Sequence, residues 1–299
     1  MAAPRCRRCP LAASLLRPRT SEPLCRRCFL QAFEAEILLS LTGKPLLGVT
    51  SGAGGPFPTP GSTIAVAASG GKDSTVLSKV LSLLDHRRHP EGYHLVLLAI
   101  DEGIQGYREE ALGSLRRSRG DLPLLILSHQ ELFGWSVDEV GKGLGKGSRC
   151  TFCGVFRRQA LERGARLLGV DWIATGFQKL SQAAGRSPKQ LSPPWAAVPR
   201  CKPLRHAYEK EIVLYAHFQG LPYFSTECLY APHAYRGHAR NLLKDLEATR
   251  TSTVAALGHS GRRLEVATEV ATKALGACER CGFASSQALC KACVLLASL

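Results

Sequence analysis

Ten of the twelve cysteines in the chain stand in C-x-x-C pairs, a spacing that binds metals or carries redox chemistry. Cys6, Cys9, Cys25 and Cys28 read C-x2-C-x15-C-x2-C, and Cys278, Cys281, Cys290 and Cys293 read C-x2-C-x8-C-x2-C. Each quartet offers four thiolates from two tight knuckles, the donor set of a tetrahedral Zn2+ at about 2.3 Å. Four protein ligands leave no open position, so two structural zinc sites are expected. Spacing alone also allows knuckles to pair across the quartets.

The hexapeptide SGGKDS at 69–74 points to phosphate chemistry. Gly70 and Gly71 let the backbone turn tightly and bring N–H groups to an anion. Lys72 adds a point charge, and the Ser69 and Ser74 hydroxyls can donate hydrogen bonds. Asp73 opens a helical pattern whose positive dipole end would face the same anion. The Walker A spacing is not matched. The bland alternative is a Gly-Gly turn capped by Asp73.

Cys150 and Cys153 follow a Gly/Lys-rich stretch, and Cys228 lies further on. Three cysteines leave a four-coordinate metal one ligand short, which suits a reactive site. A third zinc knuckle is the alternative for the pair, and a small buried side chain the alternative for Cys228. Cys201 is read as structural. Arg157 and Arg158 could bind an anionic cofactor or nucleic-acid phosphates, or simply sit on a solvated helix face. His206, His217, His233 and His238 receive no role.

The elements that must carry these residues follow from periodicity. Residues 63–68, 95–100, 122–127 and 170–175 are short apolar runs that read as strands. Between them, 73–84, 106–117 and 156–168 carry helical spacing. Continuous apolar strands alternating with helices predict an α/β fold, a parallel sheet with helices on both faces. Residues 29–41, 208–218 and 237–248 are further expected helices, the last basic through Arg240 and Lys244. The Gly/Pro-rich segment 43–61 reads as a linker and 177–200 as an irregular loop. Domains are drawn accordingly: 1–42 a zinc module with its helix, 62–235 the α/β domain, 236–299 a helical region and second zinc module.

Composition sets the outer limits. The 299 residues are 45% hydrophobic, enough for a core, which excludes a disordered tail. No apolar run approaches the roughly 20 residues of a membrane-spanning helix. The N-terminal stretch has arginines but no signal-peptide core, so a reducing, cytoplasmic setting without disulfides is expected. Thirty-nine Lys and Arg against 24 Asp and Glu give a net charge of +15. Such an excess favours polyanions, nucleic acid before membranes.

Taken together, SGGKDS after a strand, the two cysteine quartets, CTFCGVFRRQA at 150–160 and ECLYAPHAYRGHAR at 227–240 resemble the PP-loop ATP pyrophosphatase family. Within it, the chain resembles the tRNA 2-thiolation branch. The resemblance covers nearly the whole chain, apart from 43–61 and 177–200. It implies an adenine nucleotide alpha-hydrolase-like fold and ATP-dependent adenylation of C2–O of the wobble uridine (U34), followed by sulfur transfer. Ser69, Gly70, Gly71, Lys72, Asp73 and Ser74 would bind ATP with Mg2+. Cys150, Cys153 and Cys228 would handle sulfur, either on a [4Fe-4S] cluster or as persulfide and disulfide. Implied partners are tRNA, a second thiolation subunit and a ubiquitin-related modifier whose thiocarboxylate donates sulfur; no membrane is implied.

One family block is missing. Relatives in that branch read G-H-N-x-D-D after the fourth strand, whereas here VDWIATG at 170–176 runs into FQKLSQAAGRSPKQ and rejoins the pattern at RCKPL, 200–204. The resemblance therefore implies either an active thiolase or an impaired isoform that binds tRNA and partner through a zinc-held basic surface.

Overall fold

The computed structural model describes residues 4–42, 58–144, 149–176, 197–226, 228–230, 236–250, 252–253, 256–257, 260 and 275–299. An N-terminal hairpin pairs β1 (Leu15–Leu16) with β2 (Pro23–Leu24) and leads into α1 (Arg26–Thr42). The central sheet is built from β3 (Thr63–Ala67), β4 (His94–Asp101), β5 (Leu124–Ser128), β6 (Trp172–Ala174) and β7 (Arg200–Cys201). All pairings are parallel and the spatial order is β5-β4-β3-β6-β7. Chain order thus reverses direction at β3, and the carboxyl ends of β3 and its neighbours form the crevice where open α/β sheets bind ligands.

The strands are apolar throughout because both faces are covered. Ile64, Val66, Leu95, Leu97 and Ala174 join one core with α1, with α2 (Lys72–Leu81) and with α7 (Glu209–Gln219). Ala65, Val96, Leu98 and Ile173 face the other way, onto Leu161 and Ala165 of α6 (Arg149–Leu167). α3 (Arg108–Ser118) connects β4 to β5; α4 (His129–Phe133) and α5 (Val137–Leu144) follow β5. α8 spans Arg236–Thr249. A second hairpin, β8 (Gly276–Ala277) with β9 (Ala284–Ser285), and α9 (Lys291–Leu296) close the described chain. No described helix is long and apolar enough to cross a membrane.

The fold agrees with the parallel α/β expectation, and four details differ. α6 begins at Arg149, not 156, so Cys150 and Cys153 lie inside a helix rather than before one. α2 gives way at Ser82 to a short 3-10 turn. α4 and α5 occupy a stretch to which the sequence pattern assigns no element, α5 running into the Gly/Lys-rich part before Cys150. The expected loop 177–200 ends in strand β7, whose Arg200 pairs with Ile173. Residues 177–196, and 43–57 of the expected linker, lie outside the described residues.

A buried ion-pair cluster ties the N-terminal hairpin to the sheet domain. Arg17, 1% exposed, donates through Nε to Glu211 of α7 at 2.7 Å. Its two terminal nitrogens reach Glu36 of α1 at 2.8 and 2.7 Å. Burial opposes the charge, but Glu36 and Glu211 more than offset it and hold the guanidinium protonated.

Candidate active site

The phosphate loop leaves β3 at the reversal point and feeds α2. Gly70 sits at φ +76°, and a Cβ there would fall 2.2 Å from the Ala111 carbonyl oxygen of α3. Only glycine therefore lets the loop lie this close to α3. Gly71 caps α2 without any side-chain hydrogen bond to the helix amides. An uncapped helix start of this kind is suited to receive an anion. Ser74 Oγ lies 3.2 Å from Ser69 Oγ and donates to the Gly71 carbonyl at 3.0 Å, which stiffens the turn.

Lys72 Nζ lies 3.1 Å from Glu209 at the start of α7 and 3.6 Å from Asp73. Burial works against its charge, but the two carboxylates prevail and raise its pKa. Gly176, just beyond β6, packs against the same loop: a Cβ there would stand 3.2 Å from Asp73 Cβ. The Glu209 and Gly176 contacts were both missed from sequence. A glycine directly after a strand beside the reversal point was the available signal for Gly176.

A cleft of about 100 Å³ opens at the carboxyl ends of β3 and β4. Ser69 lines one side; Asp101, Glu102, Tyr107, Arg108 and Arg157 line the others. Arg108 pairs with Asp101 at 3.0 Å and Arg157 with Glu102 at 2.6 Å. The same Arg157 nitrogen donates to Cys153 Sγ at 3.4 Å. The Glu102 carboxylate, prevailing over burial, raises the Arg157 pKa, so this charge is permanent. A fixed positive charge beside a sulfur favours its anionic form. The cleft thus runs from Ser69 of the loop to the arginine that touches Cys153.

Cys150 and Cys153 occupy the first turn of α6, three residues apart and on neighbouring positions of one face. Cys228 stands two residues before Tyr230, which packs against the start of this helix. Tyr230 donates its hydroxyl to Asp138 of α5 at 2.6 Å, and the Arg149 guanidinium lies over its ring at 4.5 Å. Cys150 Sγ approaches the Tyr230 carbonyl at 3.7 Å. The three sulfurs are not drawn as close as ligands of a single zinc: among the described residues, only the two quartets gather within 4.8 Å. Cys150 and Cys153 lie inside a helix, unlike the tight knuckles of the two quartets. Arg158, by contrast with Arg157, is exposed on the solvated face. Cys201, in β7, is pushed up to about 12 by burial, in keeping with a structural thiol.

The quartets each close on themselves, not across the molecule. Cys9 and Cys25 sulfurs lie 3.6 Å apart, as do those of Cys281 and Cys290. That matches the edge of a tetrahedron with about 2.3 Å Zn–S bonds. Backbone N–H groups point at the sulfurs, Cys290 to Cys278 at 3.1 Å and Cys28 to Cys25 at 3.5 Å. All twelve cysteines are free thiols. The C-terminal module packs on α6 itself: Cys278, Cys290 and Cys293 share a core with Phe152 and Phe156, and Arg166 lies 4.2 Å over Phe283.

His129 stands at the base of this core. It is fully buried, set edge-on to Phe133 and Phe156, and neither ring nitrogen has a hydrogen-bond partner. Burial, with Arg157 adding to it, depresses its pKa from 6.5 to about 4. Between those values the unfolded chain takes up a proton that the folded chain refuses. Stability is therefore fully present above 6.5 and falls as pH drops toward 4. Urea midpoints measured from about pH 7 to about pH 4.5 should fall steadily in the native chain. In His129→Leu this slope should flatten, leaving the later losses from Asp85, Glu131 and Glu139, whose carboxyls are held low by hydrogen bonds.

Three comparisons bear on this arrangement. Residues 276–299 match a zinc-ribbon family model. The chain is 49% identical to cytoplasmic tRNA 2-thiolation protein 1 of Drosophila mojavensis, over 98% of this chain and 87% of the relative. It is 48% identical to the Drosophila melanogaster protein of that name, over 97% and 86%. Among solved structures it is similar to the U34-tRNA thiolase NcsA from Methanococcus maripaludis with its [4Fe-4S] cluster. There the TM-score is 0.73 at 22% identity, covering 100% of this chain and 97% of that one, a likeness of fold.

Proposed function

The chain belongs to the cytoplasmic tRNA 2-thiolation protein 1 family, and on that premise we propose that it thiolates C2 of the wobble uridine of tRNA in the cytoplasm. The observation that carries the reading is the shared cleft: Ser69 of the phosphate loop and Arg157, which touches Cys153, line one cavity.

In this reading ATP lies along residues 69–74, its phosphates on the α2 amides and Lys72. Asp73 is the loop carboxylate we place on the Mg2+ that ATP carries. The uridine C2 oxygen attacks the α-phosphorus, pyrophosphate leaves, and the adenylated C2 becomes electrophilic. Sulfur then adds at C2 and AMP departs with the original oxygen. The loop's task is to hold the leaving pyrophosphate through preorganised donors. Lys72 must exchange Glu209 for phosphate on ATP binding. Arg157 keeps positive charge between the sulfur and the phosphates.

Cys150, Cys153 and Cys228 are soft donors suited to a [4Fe-4S] cluster, which when bound offers one iron without a protein ligand. The two quartets hold Zn2+ and shape the fold. The sulfur donor is a ubiquitin-related modifier thiocarboxylate, and a second thiolation subunit helps hold tRNA. The divisions 1–42, 62–235 and 236–299 are the organisation we propose for these tasks. The Asp101 and Glu102 carboxylates line the cleft but are engaged by Arg108 and Arg157. They do not reproduce the acidic pair missing after Gly176.

The deciding experiment is anaerobic, tRNA-dependent release of AMP and pyrophosphate, with the second subunit present. The native chain should release both, and Lys72→Ala should lower the rate by about 10²-fold. Persistent tRNA binding without AMP would instead make this chain the impaired, binding-competent form.

A further inference from the structure

A second cavity, of about 560 Å³, shares α3 with the nucleotide cleft but none of its lining residues. Its volume lies in the range of small-molecule sites. One wall is α3, with Glu109, Glu110, Ser114 and Arg117; the other is the segment 223–226, led by Tyr223 and Phe224. Both walls are pinned to the phosphate loop. The Phe224 N–H donates to the Gly70 carbonyl at 2.8 Å, and the Ser114 hydroxyl donates to the same oxygen at 3.4 Å. The Phe224 ring stands edge-on to Tyr107 with centroids 5.1 Å apart.

The lining specifies its ligand. Half-buried aromatic rings favour a flat partner. Carboxylates only accept hydrogen bonds, so Glu109 and Glu110 select N–H donors and disfavour a triphosphate. Arg117 at the rim suits a single phosphate. A flat ring bearing N–H groups and joined to one phosphate is a nucleotide. Position adds the rest: beyond Thr226, two residues of chain, at most about 7 Å, lead to Cys228. We infer that this cavity seats an unstacked nucleotide of the tRNA anticodon loop, next to the uridine being thiolated. The inference rests on the thiolation reading above and deepens it. Sequence-specific RNA recognition works in this way, by splaying loop bases onto aromatic side chains and reading their edges.

The test uses whole tRNA carrying 4-thiouridine at each nucleotide flanking the target, irradiated on the full-length chain. Crosslinks should map to the peptide containing residues 223–226. Tyr223→Leu should weaken tRNA binding about tenfold, the loss of one stacked base, with ATP affinity unchanged. Tyr223→Phe, which keeps the ring, should bind tRNA like the native chain. Arg117→Ala, an exposed change, should reduce the salt slope of tRNA binding by about one. Crosslinks mapping elsewhere, unaltered tRNA affinity in Tyr223→Leu and Arg117→Ala, or a matching loss of ATP affinity would each overturn the inference. A native chain that binds no tRNA even with the second subunit present would instead sink the thiolation reading.

Discussion

Cys153→Ser should lower 2-thiouridine formation by about 10³-fold or more, while affinities for ATP and tRNA stay where they were. The change is nearly isosteric, and it replaces a sulfur that the Arg157 guanidinium touches, at 3.4 Å. A hydroxyl oxygen can neither accept a second sulfur as a persulfide nor serve as a soft ligand to iron. The ATP half of the cleft is untouched, because Glu102 holds Arg157 independently at 2.6 Å. Nucleoside mass spectrometry of tRNA after a single incubation reads the product directly. Wild-type levels in Cys153→Ser would remove this cysteine from sulfur handling and leave Arg157 without its assigned purpose. Arg157→Gln should be milder, about 10- to 100-fold, since it removes the charge but not the sulfur.

The second large effect is on stability. Arg17→Met should cost about 3–5 kcal/mol, because it strands a buried carboxylate. Glu211 is 1% exposed at its side chain and loses its only cationic partner among the described ion pairs. In a chain of this size that is a fall of roughly 10 °C in midpoint temperature. Adding Glu211→Gln should recover a good part of the loss, since the amide can still accept from the Tyr208 N–H without burying a charge. Thermal unfolding of the single and double variants separates the two contributions. A single variant that melts like the native chain would show the cluster to be a local ornament.

Much of this was legible before the structure. The quartets declare themselves because ligand spacing is a local property: two residues between cysteines make a knuckle anywhere. The phosphate loop was readable for the same reason, a Gly-Gly turn between a strand and a helix. The start of α6 was misplaced because Gly141, Gly143 and Gly145 made the approach look irregular. Yet Phe152, Phe156 and Ala160 recur at helical spacing and are all buried, so the helical period reached back past Cys153. Extending it would have put Arg157 one turn from Cys153. α4 carried a full signature, Ser128 and Glu131 forming a capping box and Gly134 ending the helix at φ +76°. β7 has only two residues and no period to detect.

Other contacts were not legible in principle. The Tyr230 hydroxyl finds Asp138 across 92 residues, and Lys72 finds Glu209 across most of the domain. No window of sequence contains both partners. These contacts, rather than the motifs, set how Tyr230, two residues after Cys228, is held and what Lys72 must release.

The bond between Arg17 and Glu211 spans 194 residues. On a ribosome adding about 5–20 residues per second, the N-terminal hairpin and α1 leave the exit tunnel roughly 10–40 s before α7 does. For that interval Phe29, Phe33, Ile37 and Leu41 present an apolar stripe that α7 does not yet cover. The N-terminal zinc knuckles can gather their metal at once, since their four cysteines lie within 23 residues of one another. Nascent chains should therefore carry a metal-locked head on an uncovered helix. They should depend on holding chaperones until synthesis passes Glu211, and a translation pause before α7 should lengthen that exposure.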